Sequence, residues 1–229
     1  MDKIDVLRDG YVILQDTMGS DLSVVNSARV SYNKKKNELD KKDDGLINFL
    51  AREGHTSPFR HAALQFEVYA PLMVARQWWK YITGSTHQQD NMTAWNESSR
   101  RYITEDVKIY NPSFNEWREK PENSKQGSGG YIDEVDGTYL SSQLLSYIDQ
   151  GEIMYKQAMD MGVAPEQARL FLPAYGMYVR WYWTTSLLGV VHFLNERLAS
   201  DAQMEIQQYA KAIKELTENK FPKSLEALL

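Results

Sequence analysis

Between Leu64 and Ile82 the chain changes its hydrophobic period at a single proline, and that switch narrows the folds open to it. Leu64, Phe66 and Val68 alternate with Gln65 and Glu67, the two-residue repeat of a strand with one buried face. Pro71 stands where a first helical residue is expected, and PLMVARQWWKYI reads as a helix of about three turns. Two more β-like runs, Ile4 to Leu7 and Tyr11 to Leu14, flank Arg8, Asp9 and Gly10 as a hairpin, and Met177 to Thr184 alternates again. The remaining periodic segments are helical, so the expected class is α+β: one helix-rich domain over residues 1–229 with a small antiparallel sheet.

The helices are bounded by their own punctuation. Ser20 caps a helix through Val24, Val25 and Ala28 that delivers Arg29 and Ser31 to its C-terminal end. A charged segment at 33–43 reads as a solvated loop, and Leu46, Ile47, Phe49 and Leu50 form an apolar helical face stopped by Gly54. Residues 112–139 read as a surface excursion marked by Gly127, Gly129 and Gly130. An amphipathic helix is expected from Ser141 to Met161, a short one from Pro165, another from Ser186 to Leu198, and a last one capped by Ser200.

Composition excludes several functions. A net charge of −5 disfavours nucleic acid or anionic membrane as a partner. No apolar run approaches the roughly 18 residues of a membrane span, and the first residues lack a signal-peptide core, so a cytoplasmic location is expected. The chain has no cysteine, which removes disulfides, thiolate metal sites and cysteine nucleophiles. His55, His61, His87 and His192 lack zinc-site spacing, so no metal is expected.

The densest polar chemistry lies in AWNESSRRY, Ala94 to Tyr102. Its amide, carboxylate, hydroxyls and guanidiniums suit a small anion with a planar, hydrogen-bonding head, such as a nucleotide, and equally suit an exposed turn. Upstream, Arg76 and Lys80 lie four apart with Gln77 beside them, able to share one side while Leu72, Ala75 and Trp79 pack inward. Two cations so placed either meet an anionic ligand or pair with carboxylates elsewhere. Arg169, in an otherwise apolar EQARLFLP, is either paired in the core or waiting for an anion.

Six blocks in order, ARVSY (28–32), GHTSPFRH (54–61), ARQWW (75–79), WNESSRRY (95–102), ARLFLP (168–173) and FLNERLASDAQMEIQQYA (193–210), resemble the flavin-dependent thymidylate synthases over nearly the whole chain. The resemblance implies methylation of dUMP to dTMP with methylenetetrahydrofolate as carbon donor and FAD, reduced by NADPH, as hydride source, in a homotetramer whose sites are shared between subunits. It puts dUMP on Gln77, Trp79, Lys80, Glu97, Ser98, Ser99, Arg101, Arg169 and Arg197, and FAD on Ser31, His61, Lys80, Glu97, Ser186 and His192. Ser99 is assigned to binding, having no histidine near it in sequence to act as its base. Arg197 matches the catalytic arginine proposed to draw the uracil toward its ionised imide form, which fits a chain without cysteine.

The same resemblance leaves two further readings, a one-carbon modification of another pyrimidine nucleotide and an inactive nucleotide-binding homologue. The chain departs from the family at the signature Arg-His-Arg, replaced by Lys80, Tyr81 and Ile82, and at an Asn and Arg replaced by Ser186 and Leu188. Lys offers a point charge in place of a fork. The 83–93 segment, with His87 and Gln88, is expected to rebuild the lost contacts.

Overall fold

The computed structural model describes residues 2–81, 94–98, 106–122 and 127–229. Strands β1 (Asp2–Val6), β2 (Gly10–Met18), β3 (Ala63–Pro71), β4 (Ala94–Glu97) and β5 (Tyr178–Ser186) form one antiparallel sheet in the order β1-β2-β3-β5-β4. The hairpin pairs Val6 with Gly10, and Leu7 and Arg8 turn the chain with φ of 48° and 60°. That left-handed backbone is unfavourable for residues with a Cβ. The buried Tyr178 hydroxyl holds it by donating to the Leu7 carbonyl. Gly10 is required for a different reason, since a Cβ there would sit 1.9 Å from the Tyr209 hydroxyl oxygen and 2.6 Å from the Val6 carbonyl oxygen.

The alternation in β3 divides the sheet into two chemistries. Leu64, Phe66 and Val68 face inward opposite Thr185, Trp183 and Trp181 of β5, all buried. Helix α3 (Leu72–Trp78) drops Trp78 into this layer, edge-on to Trp181 and Trp183 at 5.4 and 5.3 Å and stacked on Phe193 at 4.3 Å. The outer face of the sheet is polar, where Tyr11 and Gln15 donate to Glu67 at 2.7 and 2.8 Å and Arg180 donates to the Tyr11 hydroxyl at 2.9 Å. Period-two patterning predicts this division.

The described residues form seven further helices. They are α1 (Asp21–Arg29), α2 (Lys41–Arg52), α4 (Glu134–Asp160), α5 (Pro165–Ala168), α6 (Leu187–Arg197), α7 (Met204–Glu218) and α8 (Pro222–Leu228), with 3₁₀ turns at Val30–Tyr32, Ser57–His61 and Arg169–Phe171. The α+β class and the hairpin agree with the sequence expectation. Among the described residues no helix is long and apolar enough to cross a membrane, and no group of three or more His, Cys, Asp or Glu is placed to hold a metal.

Several boundaries differ from expectation, each for a local reason. Trp78 is the inward tryptophan, while Trp79 is about half exposed at 49%. The strand runs through Pro71 with ψ of 145°, so α3 starts one residue later and its buried stripe falls on Val74, Ala75 and Trp78. The 33–43 segment is not wholly a loop, because Asp40 caps α2 and Asp43 in its first turn is fully buried. Helix α4 starts at Glu134, capped by Asp133, whose carboxylate accepts from the amides of Val135 and Asp136. The helix placed after Ser200 begins at Met204, and a further helix, α8, follows it.

Candidate active site

Helix α6 and the end of α3 meet around Tyr81. The Arg197 guanidinium lies 5.1 Å from the Tyr81 ring centroid, and the His192 ring lies 5.4 Å from it. Burial lifts the Tyr81 phenol above its ordinary value, against the pull of the Arg197 charge and its hydrogen bond. Tyr81 occupies the position where the family signature has histidine, and here it joins a residue expected at the nucleotide to one expected at the flavin. Arg197 Nε is buried with no hydrogen-bond partner among the described residues. A buried guanidinium nitrogen without an acceptor is costly unless a ligand supplies one.

Beside Arg197 a cavity of about 430 Å³ opens, lined by Gln77, Lys80, Asn195, Glu196, Arg197, Asp201 and Gln203 among others. Gln77 and Lys80, from α3 and its end, therefore converge with Arg197 of α6, bringing three of the expected substrate-binding residues together. Two cations, two carboxylates and three side-chain amides line the cavity, a donor and acceptor set for a ligand with both phosphate and hydrogen-bonding ring edges.

The described part of the central stretch, Ala94 to Ser98, is paired to the sheet and is not a turn. Ala94 to Glu97 add an edge strand to β5, with Glu97 opposite Trp181 and Trp95 stacked on Trp181 at 4.8 Å. Ser98 continues the pairing: its amide donates to the Arg180 carbonyl at 2.7 Å and its hydroxyl accepts from the Arg180 amide at 3.1 Å. Glu97 keeps open surface on this edge, yet desolvation lifts its carboxyl above the usual range, opposed by a hydrogen bond from Trp95 and by the Arg76 charge. Arg76 thus acts on Glu97. Ser99 and Arg101, like His87 and Gln88, lie outside the described residues.

The other expected residues fall in separate places. Ser31 is exposed in the 3₁₀ turn after α1, and His61 is exposed at the end of the 3₁₀ turn that packs against both α1 and α6. Ser186 is fully buried as the cap of α6, its hydroxyl accepting from the Gly189 amide at 3.1 Å, so the cofactor contact expected of it is unavailable to its side chain here. Arg169 is exposed, donates from Nε to the Glu166 carbonyl at 3.1 Å, and does not line the cavity. Its exposure places it outside the core, so of the two expectations for Arg169 the core pairing is not met.

Sequence reasoning missed the support behind Gln77. Gln77 Nε2 donates to Gln203 Oε1, and Gln203 Nε2 donates to Glu205 Oε2 at 2.8 Å. Arg118 Nη2 then reaches both Glu205 oxygens, at 2.7 and 2.8 Å. The signal was present in MEIQQYA, where Glu205 shares a helical frame with Ile206 and Tyr209. A carboxylate in a buried stripe needs a partner.

This fold and cavity define a mixed α+β protein with a nucleotide-sized polar site that holds both cations and carboxylates. The family model described as "Thymidylate synthase complementing protein" matches residues 12–223, and the chain belongs to that family. It is 38% identical over 220 residues to a flavin-dependent thymidylate synthase of Thermus thermophilus, covering 96% of this chain and 75% of that one. A flavin-dependent thymidylate synthase of Thermotoga neapolitana is 36% identical over 230 residues, with 99% and 94% covered. Among solved structures the fold is similar to the UMP/dUMP methylase PolB of Streptomyces cacaoi bound with 5-Br UMP, at a TM-score of 0.80 and 27% identity, covering 98% of this chain and 95% of that one.

Proposed function

We propose that this protein methylates dUMP to dTMP, taking the carbon from methylenetetrahydrofolate and using FAD reduced by NADPH. The observation that carries the reading is the convergence of Gln77, Lys80 and Arg197 on one cavity, with the buried Arg197 Nε lacking an acceptor among the described residues. In this reading Lys80 meets the phosphate as a point charge, Arg197 faces the pyrimidine ring, and Gln77 reads its edge. Activating the ring carbon normally calls for a thiolate, and the chain has no cysteine. Arg197 instead stabilises the charge that builds on the ring as the carbon becomes nucleophilic.

The exposed residues of the two 3₁₀ turns that carry Ser31 and His61 suit a flavin. Ser31 and His61 offer polar contacts, and Val30 and Tyr32, both largely exposed, offer the apolar surface that a fused ring system would cover. Bound there, FAD would supply the hydride that completes the methyl group. His192 would orient its neighbours through Tyr81. Arg169, exposed and away from the cavity, fits a site completed by a second copy in a homotetramer, where it would grip the phosphate.

The reading is tested with purified protein, dUMP, NADPH and methylenetetrahydrofolate. Flavin absorbance, NADPH oxidation stimulated by dUMP, dTMP by mass and tetrahydrofolate as the folate product are expected. Production of dTMP with dihydrofolate and no flavin would sink the reading. Likeness to a UMP/dUMP methylase makes UMP the second substrate to run, and methylation of UMP in preference to dUMP would move the assignment to the other pyrimidine nucleotide.

A further inference from the structure

An amide side chain presents a donor at one end and an acceptor at the other, and shape alone does not decide which way it points. A charged neighbour does decide. Behind the cavity, Glu205 is buried and ion-paired with Arg118, whose Nη2 lies 2.7 and 2.8 Å from its two oxygens. A carboxylate so paired only accepts. The Gln203 amide, 2.8 Å away, must turn its NH₂ group toward Glu205, which leaves its oxygen facing Gln77. Gln77 in turn must donate to that oxygen, so its own carbonyl oxygen is the end left over. No described residue donates to that oxygen, and Gln77 lines the cavity. Gln203 is itself fixed, its backbone carbonyl accepting from the Gln207 amide at 3.1 Å and its Nε2 lying 3.6 Å from the Met73 sulfur. The direction of two amides is therefore set by one ion pair, which is preorganisation.

We propose that Gln203 is a positioning residue that turns the Gln77 carbonyl oxygen into the cavity, so that the site selects the ring N–H of uracil over the bare ring nitrogen of cytosine. The inference rests on the nucleotide reading of the cavity. The imide N–H of the neutral uracil ring donates to Gln77, while the adjacent ring carbonyl accepts from Arg197. Cytosine puts a lone pair where uracil has the N–H, and two acceptors face each other with the loss that attends an unmade buried hydrogen bond.

The test measures equilibrium dissociation constants of dUMP and dCMP for the full-length protein and its variants. The wild type should prefer dUMP by about tenfold or more, and the ratio should fall by about tenfold in Glu205→Gln, because an amide at 205 accepts either orientation of Gln203. Glu205→Asp keeps an acceptor-only group and should retain the preference even where both affinities weaken. Gln203→Met leaves the Arg118–Glu205 pair intact and frees Gln77, so it should lose the preference too; it carries the test if Glu205→Gln does not fold. A network that merely staples α3 to α7 would weaken both nucleotides in parallel, and an unchanged ratio in the folded variants overturns the proposal. A wild type that binds dUMP without preferring it to dCMP overturns this proposal alone. A wild type that binds neither removes the nucleotide reading itself.

Discussion

At the scale of single residues, adjacent side chains of one type have opposite duties. Trp78 has no exposed surface and touches four aromatic neighbours, while half of Trp79 is open. Trp78→Ala should cost about 3–5 kcal/mol of unfolding free energy, the range for emptying a large aromatic site in a core. Trp79→Ala should change stability by about 0.5 kcal/mol or less and act on nucleotide binding instead. Chemical denaturation of both variants checks the pair, and equal losses would refute the assignment. Arg197→Lys keeps a charge but loses the planar fork, so turnover should fall by about 100-fold or more while dUMP affinity changes far less. Equal losses in turnover and affinity would make Arg197 a binding residue only. The sequence offered Gln77 and Lys80 as an amide and a cation at helical spacing beside Arg76, whereas Arg197 was legible only through the family resemblance of its block. Sequence periodicity put Trp79 inward because positions three and four after the buried Ala75 both lie near its face, and the structure buries the first of them, Trp78.

At the scale of elements, the segment before α2 shows how a charged run becomes structure. Asp43 is fully buried, and Arg29 and Lys36 reach it at 2.6 and 2.7 Å from the end of α1 and from the preceding loop. Burial alone would raise its carboxyl, but hydrogen bonds from Lys36, the Asp40 amide and Arg29 outweigh that and hold it down at about 2. The unfolded chain titrates near 3.9, so between about pH 4 and pH 2 it binds a proton that the folded chain refuses. The stability from this cluster is complete above about pH 4 and is lost as pH falls through about 2. Urea midpoints measured from pH 5 to pH 2 should drop across that window in the wild type, and Asp43→Asn should start lower and flatten the drop. The same slope in both proteins would assign it to other carboxylates. From sequence, Lys34 to Lys36 and Lys41 to Asp44 look like solvent-facing charge, because pairing across seven or fourteen residues leaves no periodic signature. The sheet was more legible than this cluster, since alternation in β3 and β5 reports burial directly, whereas β4 hid behind the polar side chains of AWNESSRRY that its edge position allows.

At the scale of the whole molecule, α4 is the element that one chain leaves unexplained. Along its 27 residues only Gly137, Ile148, Gly151 and Ala158 are buried, while Val135, Tyr139 and Ile153 share one exposed stripe and Leu170 and Phe171 lie open beside its far end. Apolar surface of that extent calls for a partner, and a second copy is the simplest one. Tyr139→Glu with Ile153→Glu should convert the assembly to a folded monomer of 26.5 kDa by light scattering. An active site shared between copies would make a sharper demand. Arg169 sits on the turn packed against α4, away from the cavity that holds Arg197. If the two meet one nucleotide from different subunits, Arg169→Ala and Arg197→Ala should each be nearly inactive alone. Co-expressed at equal levels they should recover about a quarter of wild-type activity, because a site takes each residue from a different chain and each is intact half the time. Subunits whose Arg169 and Arg197 serve the same site within one chain would give mixtures as inactive as their parts, and that outcome would confine the site to a single copy.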